Sequence, residues 1–220
     1  MPMEELVTTF VTLFVIIDPI GLAPLFVSLT RGMAKARRLQ VALNAVLIAG
    51  GLLAVFGVAG KPLLAAIGIG LPAFRISGGL LLFLIAVEML FEKRSERREK
   101  RTADANATAA AAPDDDTPDP SVFPLATPLI AGPGALATMI LLGSREAGDP
   151  VGLLGLLGVM VVVLGITYLF FRAGSLIERA MGYNGVVVVT RLFGILLAAL
   201  AVQFVLDGLH DLGVIGVVPK

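Results

Sequence analysis

The sequence predicts an all-α integral membrane protein with six transmembrane helices. They are arranged as two inverted three-helix repeats, and the first helix of each repeat is broken. Three observations lead to this fold class: the apolar composition, six long apolar segments, and two Pro/Gly-rich runs at matching places in the two halves. The mean hydropathy is +0.93, and 57% of the residues are hydrophobic. Only 15% are charged, against about 25% in soluble domains, so the composition excludes a soluble globular domain.

Six segments are long enough to cross the hydrocarbon core of a bilayer, which needs roughly 20 apolar residues. They are Leu6–Leu29, Val41–Ala59, Leu71–Phe91, Val122–Gly143, Val151–Phe171 and Val186–Leu206. The start of the chain is acidic, with Glu4 and Glu5 where a signal peptide would be basic, and no small-residue cleavage site precedes the next segment. The first segment is therefore expected to remain as a helix.

The basic residues predict the orientation of the six helices. Most of the 17 lysines and arginines fall in the loops after the first, third and fifth segments. The opposite side keeps only Lys61, Arg75, Arg145 and Lys220. Because cytoplasmic loops are enriched in lysine and arginine, both termini are expected to lie outside.

The chain divides into a first repeat at residues 1–91, a linker at 92–120 and a second repeat at 121–220. The linker opens with mixed charges, continues in alanine and ends rich in aspartate and proline. Such a composition buries too little apolar surface to fold, which predicts a flexible cytoplasmic linker. A regulatory or lipid-binding segment is the alternative.

Internal similarity supports the two repeats. Aligning Pro19 with Pro133 also brings Leu22 onto Leu136, and at nearly the same spacing Arg75 aligns with Arg191. Each repeat holds three crossings. Because three is an odd number, the second repeat must insert upside down relative to the first, which is the inverted-repeat architecture of many transporters.

The two broken segments are the candidate binding site. Residues 18–24 and 127–134 interrupt apolar helices with proline and glycine. An unsatisfied backbone group in a bilayer costs several kcal/mol, so such a break normally lines a cavity, and a matched pair of breaks points to a transporter's site. The candidate substrate-binding residues are Asp18, Pro19, Gly21, Thr127, Pro128, Gly132, Pro133 and Gly134.

Asp18 is the one carboxylate near the middle of a predicted span, about 18 Å from its start at helical rise. One interpretation is that it binds a substrate ammonium or carries a coupling proton. The other is that it caps the half-helix after it, with Pro19 at the first helical position. Freed N–H groups at such a break suit a carboxylate and freed carbonyls suit a cation, so the two breaks together could hold a zwitterion. Proline kinks with only a packing role are the alternative.

A second group of polar residues is predicted to line or gate the pathway: Asn44, Arg75, Ser77, Thr138, Arg191 and Gln203. For Arg75 and Arg191 the simpler interpretation is snorkelling to the headgroups. The other is an ion pair with a half-helix carboxylate or with a transported anion. No enzyme, metal or cofactor is expected, because the chain has no cysteine, a single histidine and no catalytic or phosphate-binding motif. Nucleic-acid binding has no basic surface to support it.

Residues 18–26, 124–135, 191–194 and 201–204 resemble the MarC family of multi-pass inner-membrane proteins of bacteria and archaea. The resemblance covers nearly the whole chain. It implies six helices in an inverted repeat, a relationship to lysine-exporter-like transporters, and proton-coupled transport of small neutral amino acids such as glycine and alanine.

The sequence thus predicts a plasma-membrane transporter of a small zwitterion that works by alternating access. Its expected partners are the solute, protons and the bilayer, and a homo-oligomer is compatible with the chain. A channel or ion-exchange protein, or a non-transporting membrane scaffold, remains the alternative at this point.

Overall fold

The computed structural model describes residues 2–91, 93–111 and 119–216, and in these ranges every regular element is helical. The chain forms α1 (Met3–Ile17), α2 (Pro19–Leu29), α3 (Lys35–Ala66), α4 (Leu71–Leu90) and α5 (Lys93–Ala111), then α6 (Pro133–Arg145) and α7 (Pro150–Asp211). A segment of wide helical turns, Ser121–Ile130, precedes α6 and leaves helical geometry at Phe123 and Thr127.

Five helical runs of the described residues are long and apolar enough to cross a bilayer. They are Met3–Leu29, Lys35–Ala66, Leu71–Leu90, Pro150–Ile177 and Asn184–Asp211. Ser121–Ile130 and α6 together make a sixth if this pair, bent by 59°, counts as one span. The prediction of an all-helical membrane protein is therefore confirmed, whereas the inverted repeat stays a prediction.

Helix α7 is two spans joined by a turn. At Gly182 φ is 62° and ψ is 177°, a conformation that glycine adopts without steric cost because it has no Cβ. Pro150–Ile177 is called the first arm and Asn184–Asp211 the second arm. The turn at Gly182 lets the second arm pack against α4.

The two breaks differ in shape. The first is confined to Asp18, which has φ 59° and ψ 64° and separates α1 from α2 within one apolar run. The second extends from Thr127 to Gly132 and turns the chain by 59°. Aspartate tolerates the left-handed region better than most residues, so one residue suffices at the first break.

Close packing between helices depends on glycine. A Cβ at Gly79 of α4 would stand 2.7 Å from the carbonyl oxygen of Ala201 on the second arm. A Cβ at Gly143 of α6 would overlap the carbonyl of Gly57 on α3. Small residues at such crossings allow the backbones of membrane helices to approach. These two interfaces fix α4 and α6, both of which contribute residues to the candidate site.

The outer faces of the bundle are apolar, as a lipid-facing surface requires. Large aliphatic side chains stand uncovered by protein on several helices, including Leu47, Leu80, Leu154 and Leu192. Inside, the largest fully buried side chains include Phe26 and Phe171, whose rings stack at 4.5 Å. The bundle therefore has an apolar interior and an apolar exterior.

The structure corrects the expectation of an unfolded linker for residues 93–111, which form α5. Lysine, arginine, glutamate and alanine all favour helix, and that preference holds even where little apolar surface is available. Residues 112–118 of the predicted linker lie outside the described residues. The division into repeats at 1–91 and 121–220 stays a prediction.

Candidate functional site: an inner cavity and an outer vestibule

Asp18 is fully buried and forms an ion pair with an arginine of α5. Its Oδ2 accepts a hydrogen bond from Nη1 of Arg98 at 2.8 Å, and the two side chains are 0% and 7% exposed. The other guanidinium nitrogen of Arg98, Nη2, donates to the carbonyl of Ile17 at 3.4 Å. A buried carboxylate is costly in a bilayer unless it is paired, and Arg98 provides that pairing.

Asp18 is also the N-cap of α2. Its Oδ1 accepts a hydrogen bond from the backbone N–H of Gly21 at 3.0 Å, and Pro19 occupies the first helical position. A Cβ at Gly21 would overlap the Asp18 carboxylate, so any side chain at this position would displace that carboxylate. The capping interpretation of Asp18 is confirmed, and its two carboxylate oxygens have separate partners.

Burial lowers the pKa of Arg98 from its usual value, and the Asp18 carboxylate opposes that effect. An arginine stays protonated in proteins even so. The guanidinium therefore keeps its charge within the bundle, and its attraction to Asp18 compensates for part of the lost hydration.

The second break presents the N-terminus of α6. Gly132 is the N-cap and contributes no side chain to the cap, and Pro133 has no N–H. The first free N–H groups of the helix therefore belong to Gly134 and Ala135. A Cβ at Gly132 would stand 2.7 Å from the carbonyl oxygen of Pro128, so the loop folds tightly over this end of the helix.

An inner cavity of about 310 Å³ lies where the second break, α4 and α5 meet. The backbone of the break forms one wall and basic side chains of α5 form another. Glu88 of α4 binds Arg97 at 2.6 Å in the same space. The lining residues are Ile16, Leu81, Leu84, Ile85, Glu88, Arg97, Arg98, Arg101, Pro128, Leu129, Ile130, Gly132, Pro133, Gly134 and Ala135.

An outer vestibule of about 930 Å³ opens at the other end of the bundle, among the start of α1, the start of α4, the end of α6 and the end of the second arm. Arg75 binds Asp211 at 2.5 Å, and Arg145 binds Asp207 at 3.1 Å. Gln203 donates to the same Asp207 at 2.7 Å. These contacts tie α4 and α6 to the second arm.

The structure divides the predicted substrate-binding residues between two places. Residues of the second break line the inner cavity, namely Pro128, Gly132, Pro133 and Gly134. Asp18, Pro19 and Gly21 do not line the cavity. Asp18 is connected to the cavity by its ion pair with Arg98, which does line it. Thr127 is exposed and lies outside the wall. A direct role of Asp18 or Thr127 in binding stays a prediction.

The predicted lining or gating residues are also divided. Arg75 and Gln203 line the outer vestibule, where Arg75 is paired with Asp211 rather than with a half-helix carboxylate. The other four line neither space. Asn44 is half-buried on α3, Ser77 donates to the carbonyl of Phe74, Thr138 is buried in α6, and Arg191 is exposed on the second arm.

Sequence reasoning missed the charged side chains of the inner cavity, namely Glu88, Arg97, Arg98 and Arg101. The signal was the unpaired carboxylate of Asp18, which required a buried cation. The basic run of residues 93–101 supplied candidates, but nothing in its composition singles out Arg98. Among the described residues no three His, Asp or Glu side chains converge as a metal site.

Comparisons with known proteins agree with this architecture. Residues 3–212 match the family described as "MarC family integral membrane protein". The chain is 36% identical over 203 residues to a UPF0056 membrane protein of Archaeoglobus fulgidus, covering 92% of this chain and 91% of that protein. It is 34% identical over 208 residues to the inner membrane protein YhgN of Escherichia coli, covering 94% and 98%.

A third relative is the membrane protein YvbG of Bacillus subtilis, which is 33% identical over 207 residues and covers 94% of this chain and 95% of its own. No solved structure matches the chain.

Proposed function

Because the chain belongs to the MarC family of integral membrane proteins, we propose that it transports small neutral amino acids such as glycine and alanine. Transport is coupled to protons and proceeds by alternating access. Two inverted three-helix repeats, at residues 1–91 and 121–220, move against each other around a site between them. The inner cavity is that site.

The observation that carries the proposal is the inner cavity at the second break. The N–H groups of Gly134 and Ala135 begin α6 there, and a helix N-terminus favours a carboxylate. The volume of about 310 Å³ lies at the lower end of small-molecule sites, which span about 300–1,000 Å³. A small solute is therefore favoured over a large one.

The charges around the cavity support a zwitterion. Arg97, Arg98 and Arg101 suit a carboxylate, whereas Glu88 suits an ammonium group. Asp18 lies directly behind Arg98 and is the second carboxylate within reach of the space. In this proposal Asp18 carries the coupling proton or receives the ammonium group when Arg98 moves aside.

The separation of the two spaces supports alternating access over an open pore. The inner cavity and the outer vestibule have no lining residue in common. On α1, Thr12 faces the vestibule and Ile16 the cavity, and Leu13 between them is fully buried. On α6 the fully buried Met139 lies between Ala135 and Leu142 in the same way.

The test is counterflow of labelled glycine and alanine in proteoliposomes, with and without a pH gradient. We expect Asp18→Asn to remove the stimulation by the gradient and Gly132→Leu to abolish uptake, because any Cβ at Gly132 meets the Pro128 carbonyl. Gly51→Leu is the matched control, since Gly51 on α3 has open space around it.

Three outcomes decide between the candidate functions. Saturable counterflow that Gly132→Leu removes and Gly51→Leu preserves supports the transporter. Non-saturable ion flux without counterflow indicates a channel. No movement of any small amino acid under either condition, from well-folded protein, indicates a scaffold and refutes the proposal.

A further inference from the structure

We propose that α5 is a gate of the inner cavity. Arg98 closes the gate by binding the Asp18 carboxylate, which otherwise binds a cationic group of the solute. This inference rests on the proposed function in one respect, namely that the inner cavity is the solute site. The gate opens when Arg98 leaves Asp18. The group that takes its place is an ammonium, the cation of a neutral amino acid.

The position of Arg98 is unlike that of its neighbours on α5. Its side chain is 7% exposed, whereas that of Arg97, one residue earlier, is 67% exposed. Arg101 is exposed as well. If α5 only held its charged side chains at the surface, all of them would be exposed to water. Instead, one guanidinium is inserted between the end of α1 and the cavity.

The Arg98 guanidinium makes the contacts expected of a ligand. It bonds to one carboxylate oxygen of Asp18 and to the carbonyl of Ile17, and the second carboxylate oxygen is held by Gly21. A carboxylate beside a main-chain carbonyl is a cation site, and an ammonium donates hydrogen bonds in the same way. Arg98 therefore fills the cation-binding half of the site.

A second contact holds α5 over the cavity. Arg97 binds Glu88 of α4 at 2.6 Å, and Arg97, Arg98 and Arg101 together form one wall. Glu88 is a carboxylate of the cavity that is also occupied by an arginine of α5. Both carboxylates that could bind an ammonium here are thus paired with arginines of the same helix. These arginines therefore compete with the ammonium group of a solute for the two carboxylates.

Site-directed labelling tests the gate, because the chain has no cysteine of its own. Ala135→Cys places a thiol in the cavity wall with a small change in volume. Its rate of modification by a membrane-impermeant maleimide, applied from the α5 side, is compared between Arg98 and Arg98→Ala backgrounds. Arg101→Ala is the matched control, since Arg101 lines the cavity but makes no ion pair with Asp18.

We expect Arg98→Ala to raise the labelling rate about tenfold or more, because loss of a buried ion pair shifts the closed–open equilibrium by at least that factor. Arg101→Ala should leave the rate within about twofold of the parent. Labelling of Thr8→Cys in the outer vestibule, applied from the opposite side, should not rise with Arg98→Ala.

Arg98→Ala leaves Asp18 buried and unpaired, so the single variant can fail to fold. The double variant Asp18→Asn with Arg98→Ala removes both charges and opens the same space, and it should show the same faster labelling. Equal labelling rates in folded Arg98 and double-variant proteins would overturn the gate. So would equal acceleration by Arg101→Ala.

The labelling result is independent of the solute. Faster labelling without any amino-acid counterflow supports the gate and refutes the proposed function. Counterflow with unchanged labelling supports the function and refutes the gate.

Discussion

Gly79→Ala should separate two helices that meet through their backbones. The added Cβ would stand 2.7 Å from the Ala201 carbonyl oxygen and 3.1 Å from the Val205 N–H nitrogen, whereas ordinary contact begins at 3.4 Å. The second arm must therefore move away from α4 by about 0.7 Å. A third obstacle, Cγ2 of Val205 at 2.8 Å, is a side-chain atom, but the other two are backbone atoms. A rotamer change therefore cannot relieve the overlap with the Ala201 oxygen.

The cost follows from comparison with Gly51→Ala. Both substitutions gain about 0.5–1 kcal/mol of helix preference, but Gly51 has open space around it. The difference between the two variants isolates the overpacking penalty, which is about 1–3 kcal/mol. Gly79→Ala is therefore expected to unfold with a free energy lower than that of Gly51→Ala by that amount.

The assay is unfolding of the purified protein by dodecyl sulfate in mixed micelles, followed by the helical circular dichroism signal. Counterflow should also fall in Gly79→Ala, because α4 carries Glu88 to the inner cavity and Arg75 to the outer vestibule. Equal unfolding free energies for the two variants would show that the α4–second arm interface is looser than this contact requires, and the reasoning would be wrong.

Two further predictions concern ion pairs in different surroundings. Arg98→Ala should lower the unfolding free energy by about 3–5 kcal/mol, because it leaves the buried Asp18 unpaired. Adding Asp18→Asn should restore part of the loss, with a coupling energy of about 1–3 kcal/mol in a double-mutant cycle; strictly additive values would contradict the pairing. In the outer vestibule, Arg145→Ala and Asp207→Ala should each cost at most about 1 kcal/mol, because the two side chains are 39% and 25% exposed. The same micelle titration measures both, and a larger loss at Arg145 would show that the vestibule excludes water.

The membrane class and the breaks were predictable because each depends on local chemistry. Apolar runs of sufficient length identify spans, and proline removes hydrogen-bond donors wherever it stands. The cap formed by Asp18 follows from the spacing of Asp18, Pro19 and Gly21 alone. The family resemblance is confirmed by the match over residues 3–212.

The inner cavity's polar wall was not predictable, because it depends on a contact between residues 80 positions apart. The composition of residues 92–120 indicated that this segment was too polar to fold. That prediction considered only the burial of apolar surface, and neither helix preference nor ion pairs. Helix α5 is instead formed by strong helix formers and held in place by charge. The different shapes of the two breaks likewise depend on tertiary packing, which matching Pro/Gly runs do not reveal.

Only residues 91 and 92 separate the end of α4 from the start of α5. Arg98 is therefore a tethered ligand whose effective concentration at Asp18 is of the order of millimolar or higher, as for short linkers in general. Each departure of Arg98 is followed by its return unless another cation occupies the carboxylate first. In the proposed gate a soluble cation must compete with that local concentration. A dilute cation would leave Asp18 bound to Arg98, whereas an abundant or well-fitting one would displace it.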